Sequence, residues 1–160
     1  MANCSLLMNK CCTCRERYKV NHVSSSITIH APVDAIWQVI SNFGAGNQHL
    51  PGVVACTVTG DGIGALRTLT SADGSTIVER LAALDATALR LSYALLTDTP
   101  FADCLTTLAL RDRGPYLTEL TWAATFQPDG LPASEAMDLL EGALAENCLA
   151  LKQFMEAGYH

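Results

Sequence analysis

The residue best placed to do chemistry is Glu79, an acid set among apolar neighbours in Thr76-Ile77-Val78-Glu79-Arg80-Leu81. Alternation puts Ile77, Glu79 and Leu81 on one face of a strand and Thr76, Val78 and Arg80 on the other. A carboxyl on an apolar face is costly to bury unless it is hydrogen-bonded, and burial raises its pKa. Such a group can act as a general acid or base, hold a ligand, or serve as a structural acid paired with arginine or backbone. Asn147 is the second candidate. It stands between Leu144 and Leu151 on an otherwise apolar stripe, and a buried amide needs partners from the sheet, from water or from a ligand. Tyr93 shares its face with Leu91 and Leu95, so its ring points inward and its hydroxyl needs a partner; core packing is its simpler role.

Other chemically able residues carry less. Phe101, beside Pro100, and Phe43 fall in loops near the expected pocket mouth and suit a lid or ordinary packing. His49 precedes Pro51 in a connector that can approach the same mouth, while His30 ends a strand on its polar face and should be solvated. No Ser-His-Asp or Cys-His arrangement is present to make either histidine catalytic. Cys104 and Cys148 read as small hydrophobes. Gly62-Ile63-Gly64 lies between strands and opens no helix, so it is not a phosphate-binding loop. The run Cys11-Cys12-Thr13-Cys14 has no second, separated ligand pair, so no metal site is assigned and no cofactor is expected.

The elements that must position these residues follow from periodicity. Residues 1–23 show neither helical nor strand period and read as a flexible Cys-rich leader; residues 24–157 form one domain. Ser26–His30 alternates as a strand, Ala31-Pro32 stops it, and Val33–Ile40 has helical spacing. A short connector, broken by Gly44 and Gly46, runs to Pro51-Gly52. Strands are then expected over 53–59, 65–70, 76–81, 88–96, 103–111 and 117–126, joined by short turns that imply antiparallel neighbours. After Pro128-Asp129-Gly130 the period becomes 3.6. Ser134 is the expected cap, Gly158 the stop, and Met137, Leu140, Leu144, Asn147, Cys148, Leu151 and Met155 make one stripe. A two-residue Asp73-Gly74 turn pairs Thr68 with Glu79 and Leu66 with Leu81, giving an inner face of Leu66, Thr68, Ile77, Glu79 and Leu81. It also sets Arg67 opposite Arg80 on the outer face. Like charges across a ladder are unfavourable, so either acids lie nearby or the turn is longer.

The fold class is therefore α+β: a curved antiparallel sheet of about seven strands wrapped around a long C-terminal helix, with two short helices after the first strand. A helix lying in a curved sheet leaves room at the wider end for a small apolar ligand. The composition fits a globular domain, with 49% hydrophobic and 16% charged residues. Lys10, Arg15, Arg17 and Lys19 make the leader basic, while the rest of the chain carries fifteen acids against six bases. That excess repels nucleic acid and anionic membrane, and no run is long and apolar enough to span a bilayer. The odd count of seven cysteines at wide spacing suits free thiols in a cytoplasmic protein.

The layout resembles the START-like, helix-grip superfamily, which includes bacterial polyketide cyclase/dehydrase-like proteins, the birch-pollen-allergen type and the plant abscisic-acid receptors. Carrying the resemblance over residues 24–157 are Ile29-His30-Ala31-Pro32-Val33-Asp34-Ala35-Ile36-Trp37, Gly62-Ile63-Gly64-Ala65-Leu66-Arg67, Asp73-Gly74, Glu79-Arg80-Leu81, Tyr93 and Thr118-Glu119-Leu120-Thr121-Trp122. The bacterial cyclase/dehydrase-like subfamily is the most similar. The resemblance implies a pocket in which Glu79 meets ligand through water and Asn147 faces it from the helix. It also implies Thr121 in the pocket, whereas alternation with Leu120, Ala124 and Phe126 turns Trp122 inward; the two readings stand side by side. Thr68, Leu81, Phe101, Leu144 and Leu151 complete the expected lining. Two functions follow: binding of a small apolar molecule, or a cyclase/dehydratase reaction with Glu79 as acid/base and Tyr93 or His49 assisting. A protein-docking role with loops Ser71–Ser75 and Thr97–Ala102 as gate and latch is a third, but those loops lack the receptors' gate and latch sequences.

Overall fold

A computed structural model describes residues 20–158, so the leader and metal readings of residues 1–19 lie outside the described residues. Strand β1 (Asn21–Ile29) is followed by α1 (Val33–Ser41) and a 3-10 segment (Phe43–Gln48). Then come β2 (Val53–Thr59), β3 (Leu66–Ser71), β4 (Thr76–Asp85), β5 (Arg90–Leu95), β6 (Phe101–Gly114), β7 (Leu117–Pro128) and α2 (Ala133–Ala157). The seven strands form one antiparallel sheet in the order β1-β7-β6-β5-β4-β3-β2. The first strand draws residues 21–23, expected in the leader, into pairing with β7.

Curvature comes from interruptions of the ladder. Register shifts occur at Val53/Ala55, Leu81/Ala83, Ala102/Leu105 and Asp112/Gly114, and each extra residue bends and twists its strand. Within the third of these Asp103 takes φ 50°, and the next residue, Cys104, is buried on the concave side. The helix α2 lies in that concavity against β1 and β7. Of the expected stripe, Leu140, Leu144, Cys148, Leu151 and Met155 are buried, Met137 and Asn147 are half-buried, and Ala136 is buried beside them. Each large apolar side chain there contributes about 1.5–3 kcal/mol. They meet Trp122, Phe126, Leu120 and Ile29 in one core. The helix begins two residues earlier than a cap at Ser134 requires. Pro132 takes the cap position, and no side chain caps the helix, since proline carries no side-chain acceptor. The 3-10 segment crosses over β2 and β3, and Gly46 permits that approach: a Cβ there would sit 2.9 Å from Leu69 Cδ2 and 3.1 Å from Leu50 Cδ1.

The hairpin between β3 and β4 departs from expectation by one residue. Ser71 and Ser75 face each other, Ser71 N donating to Ser75 O at 2.9 Å, so three residues and not two form the connection. Gly74 supplies φ 87°, and Asp73 Oδ1 accepts from both Ser75 N (2.9 Å) and Ser75 Oγ (2.6 Å). The longer turn pairs Arg67 with Glu79, Leu66 with Arg80 and Thr68 with Val78. A one-residue slip exchanges the faces of β3. Arg67 and Leu69 become the inner, buried residues, and Thr68 moves to the convex face opposite Thr57.

Candidate functional site

A cavity of about 280 Å³ lies between the concave side of β3–β6 and α2. Its walls are mostly apolar: Leu50, Pro51, Val53, Leu69, Leu95 and Phe101 face Leu140, Ala143 and Leu144 of the helix. The rim carries the exposed residues Pro51, Ile77 and Ala143. Polar groups enter from Glu79, Tyr93, Thr99, Thr106 and Asn147. The volume lies just below the range of about 300–1,000 Å³ usual for small-molecule sites. Two other hollows lie elsewhere: a groove on the convex face at His22, Thr107 and Thr121, and one between α1 and the end of α2 lined by no ionisable side chain.

Glu79 is 7% exposed and Arg67 5%. Arg67 Nε donates to Glu79 Oε1 at 2.9 Å, and Arg67 Nη1 donates to the Phe43 carbonyl at 3.4 Å. The guanidinium carbon sits 4.3 Å from the Phe43 ring centre and 4.8 Å from that of Tyr93, so two ring faces cover the cation. Burial pushes the Glu79 carboxyl upward in pKa, and the Arg67 charge opposes it. Arginine keeps its proton, so a neutral Glu79 would leave a buried cation uncompensated; we assign the pair as ionised at neutral pH. Among the described residues nothing donates a hydrogen bond to the second oxygen, Oε2.

Beneath this pair Trp122, 1% exposed, donates from Nε1 to Tyr93 Oη at 3.1 Å. Burial first, and then the Glu79 charge, raise the Tyr93 pKa. Tyr93 thus holds its phenol proton and has a hydroxyl hydrogen left to donate. Thr99 is occupied locally, its Oγ1 accepting from Phe101 N at 3.2 Å. Across the cavity Asn147, half-buried on α2, makes no side-chain hydrogen bond among the described residues.

Of the expected site residues, the cavity brings together Glu79, Asn147, Tyr93, Phe101 and Leu144. Phe101 belongs to β6, not to a loop, and packs edge-on against Phe126 at 5.4 Å. Thr68 is on the convex face for the register reason above. Thr121 is also convex and bonds Ser26 Oγ at 3.0 Å, while Trp122 points inward; alternation along β7 decides that conflict against the resemblance. Leu81, Leu151 and Trp122 are core residues and do not line the cavity. Phe43 is no lid, since it is buried under Arg67. His30 is solvent-exposed as expected, its Nδ1 bonded to Glu156 at 3.0 Å. His49 is buried off the cavity wall; its Nδ1 has no partner among the described residues, and burial, then Arg67, lower its pKa to about 4. Arg67, Leu69, Leu50, Val53 and Thr106 are additions that sequence reasoning missed. For Arg67 the signal is the unfavourable Arg67/Arg80 juxtaposition produced by the shorter turn.

The family model described as polyketide cyclase / dehydrase and lipid transport matches residues 21–156. No curated protein sequence matches the chain. An uncharacterised protein from Bacillus thuringiensis superposes with a TM-score of 0.79 at 25% identity, covering 85% of this chain and 99% of that one. The protein XoxI from Bacillus cereus gives 0.78 at 26% identity, covering 87% and 98%. The Zhui aromatase/cyclase from Streptomyces sp. R1128 gives 0.69 at 19% identity, covering 88% and 93%, a likeness of fold alone.

Proposed function

Given that the chain belongs to the polyketide cyclase/dehydrase and lipid-transport family, we propose that it binds one small apolar molecule in the cavity between sheet and helix. Carrying this reading is the convergence of a half-bonded carboxylate, Glu79, and an unpaired amide, Asn147, from opposite walls of an otherwise apolar hollow. Apolar walls supply affinity, and the two polar groups with Tyr93 set orientation. Among the described residues Cys56, Cys104 and Cys148 are free thiols, which suits a reducing, cytoplasmic setting. Among the described residues no helix is long and apolar enough to cross a membrane.

A second reading is an acid/base enzyme of the cyclase/dehydratase type. The upward push on the Glu79 pKa favours it, because a general acid or base works best near neutral pH. Binding ranks first because Glu79 is held by Arg67 and no second titratable group on the wall is tuned toward neutral pH: burial pushes both Tyr93 and the Cys104 thiol up in pKa, and His49 is off the cavity. Native mass spectrometry of the purified protein beside its denatured mass is expected to show a stoichiometric small-molecule adduct. Leu144→Trp, which fills the cavity from α2, should lose the adduct and keep the fold. An adduct retained unchanged in that variant would place the bound molecule elsewhere.

A further inference from the structure

We propose that the cavity selects neutral molecules bearing a hydrogen-bond donor, an alcohol or phenol, and rejects carboxylates and other anions. This rests on the cavity-binding reading and adds the ligand's charge and hydrogen-bonding sense. Glu79 is the only charged side chain among the residues lining the cavity. The neighbouring cation, Arg67, is not among the residues lining the cavity. Arg67 donates through Nε to Glu79 and through Nη1 to the Phe43 carbonyl, and its guanidinium carbon lies over the Phe43 and Tyr93 rings at 4.3 and 4.8 Å. An anion entering the cavity would therefore meet a carboxylate at short range with no free positive charge, an unfavourable contact in a poorly solvated site.

The hydrogen-bond inventory sets the sense of the polar contact. A carboxylate accepts only, with about four acceptor sites on its two oxygens, and Oε2 is unserved among the described residues. A ligand hydroxyl donating to Oε2 makes a charge-assisted hydrogen bond, about twice as strong as a neutral one. An ether or a ketone at that position leaves Oε2 unserved. Those acceptors are better matched by the Tyr93 hydroxyl, whose oxygen already accepts from Trp122, and by the Asn147 amide. The ligand best suited is thus a compact apolar body with a hydroxyl at one end.

Four probes of one ring size separate these claims: 2-naphthol, 2-methoxynaphthalene, naphthalene and 2-naphthoate, titrated calorimetrically at pH 7.5. The expected order has 2-naphthol at least tenfold tighter than 2-methoxynaphthalene and naphthalene, with 2-naphthoate weakest. In the doubly apolar variant Arg67→Met/Glu79→Leu the lead of 2-naphthol should collapse to about twofold or less. Equal affinity of 2-naphthol and 2-methoxynaphthalene, or 2-naphthoate binding as well as 2-naphthol, overturns the selectivity and leaves the cavity reading intact. If none of the four probes binds, the cavity reading falls and this inference with it. Persistence of the full preference in the double variant also refutes the assignment to Glu79.

Discussion

Arg67→Met alone is expected to lower the unfolding free energy by about 3–5 kcal/mol, while Arg67→Met/Glu79→Leu restores most or all of it. The asymmetry follows from where the charges sit. Both side chains are largely withdrawn from water and bonded at 2.9 Å, and the arginine lies over the rings of Phe43 and Tyr93. Removing the arginine leaves a largely buried carboxylate without its counter-ion, so its desolvation cost is no longer offset. Removing both charges deletes the cost together with the attraction, and an apolar pair of similar size fits a site already walled by Leu69, Tyr93 and Leu81. Urea denaturation of the two variants beside the wild type measures the difference. A single variant within 1 kcal/mol of wild type would mean that the pair is solvated and that Arg67 faces outward.

The second large effect is on pH dependence. His49 is neutral in the fold, with a pKa of about 4 against 6.5 for a free side chain. Between those values the unfolded chain binds a proton that the folded chain does not, so stability falls as pH falls. The His49 contribution is complete above pH 6.5 and is lost progressively down to about pH 4. A shift of this size corresponds to about 3 kcal/mol. Glu79 acts in the opposite sense: its raised pKa makes the folded chain the better proton binder as the solution becomes acidic, so it adds stability on acidification. A comparison of wild type with His49→Phe cancels the Glu79 contribution. Unfolding free energies at pH 7.5, 6 and 5 should decline more steeply in the wild type. Parallel profiles would show that His49 is hydrated or already charged in the native state.

Much of this architecture is legible in the sequence because its signals are local. Strict alternation in 117–126, the change of period after Gly130, and short turns of Gly and Asp specify seven antiparallel strands and a long amphipathic helix. Alternation within one strand also suffices to put Glu79 and Tyr93 inside, and the helix stripe suffices for Asn147 and Leu144. What escapes depends on relations between elements. The inward turn of Arg67 hangs on whether the 71–75 hairpin encloses two residues or three, and one residue reverses the whole of β3. The burial of Phe43 and His49 depends on the 3-10 segment crossing β3 at Gly46, a tertiary approach with no periodic signature. Thr121 shows the converse hazard: transfer by resemblance puts it in the pocket, whereas pairing with Ser26 on β1 puts it on the convex face.

The most direct test of ligand binding in this cavity is chemical-shift mapping of the ¹⁵N-labelled protein titrated with 2-naphthol. Saturable shifts are expected at Leu69, Glu79, Tyr93, Thr106, Leu144 and Asn147, with Thr57, Ser92, Thr107 and Thr121 on the convex face unmoved. Shifts confined to the convex face, or to the groove between α1 and the end of α2, would contradict it.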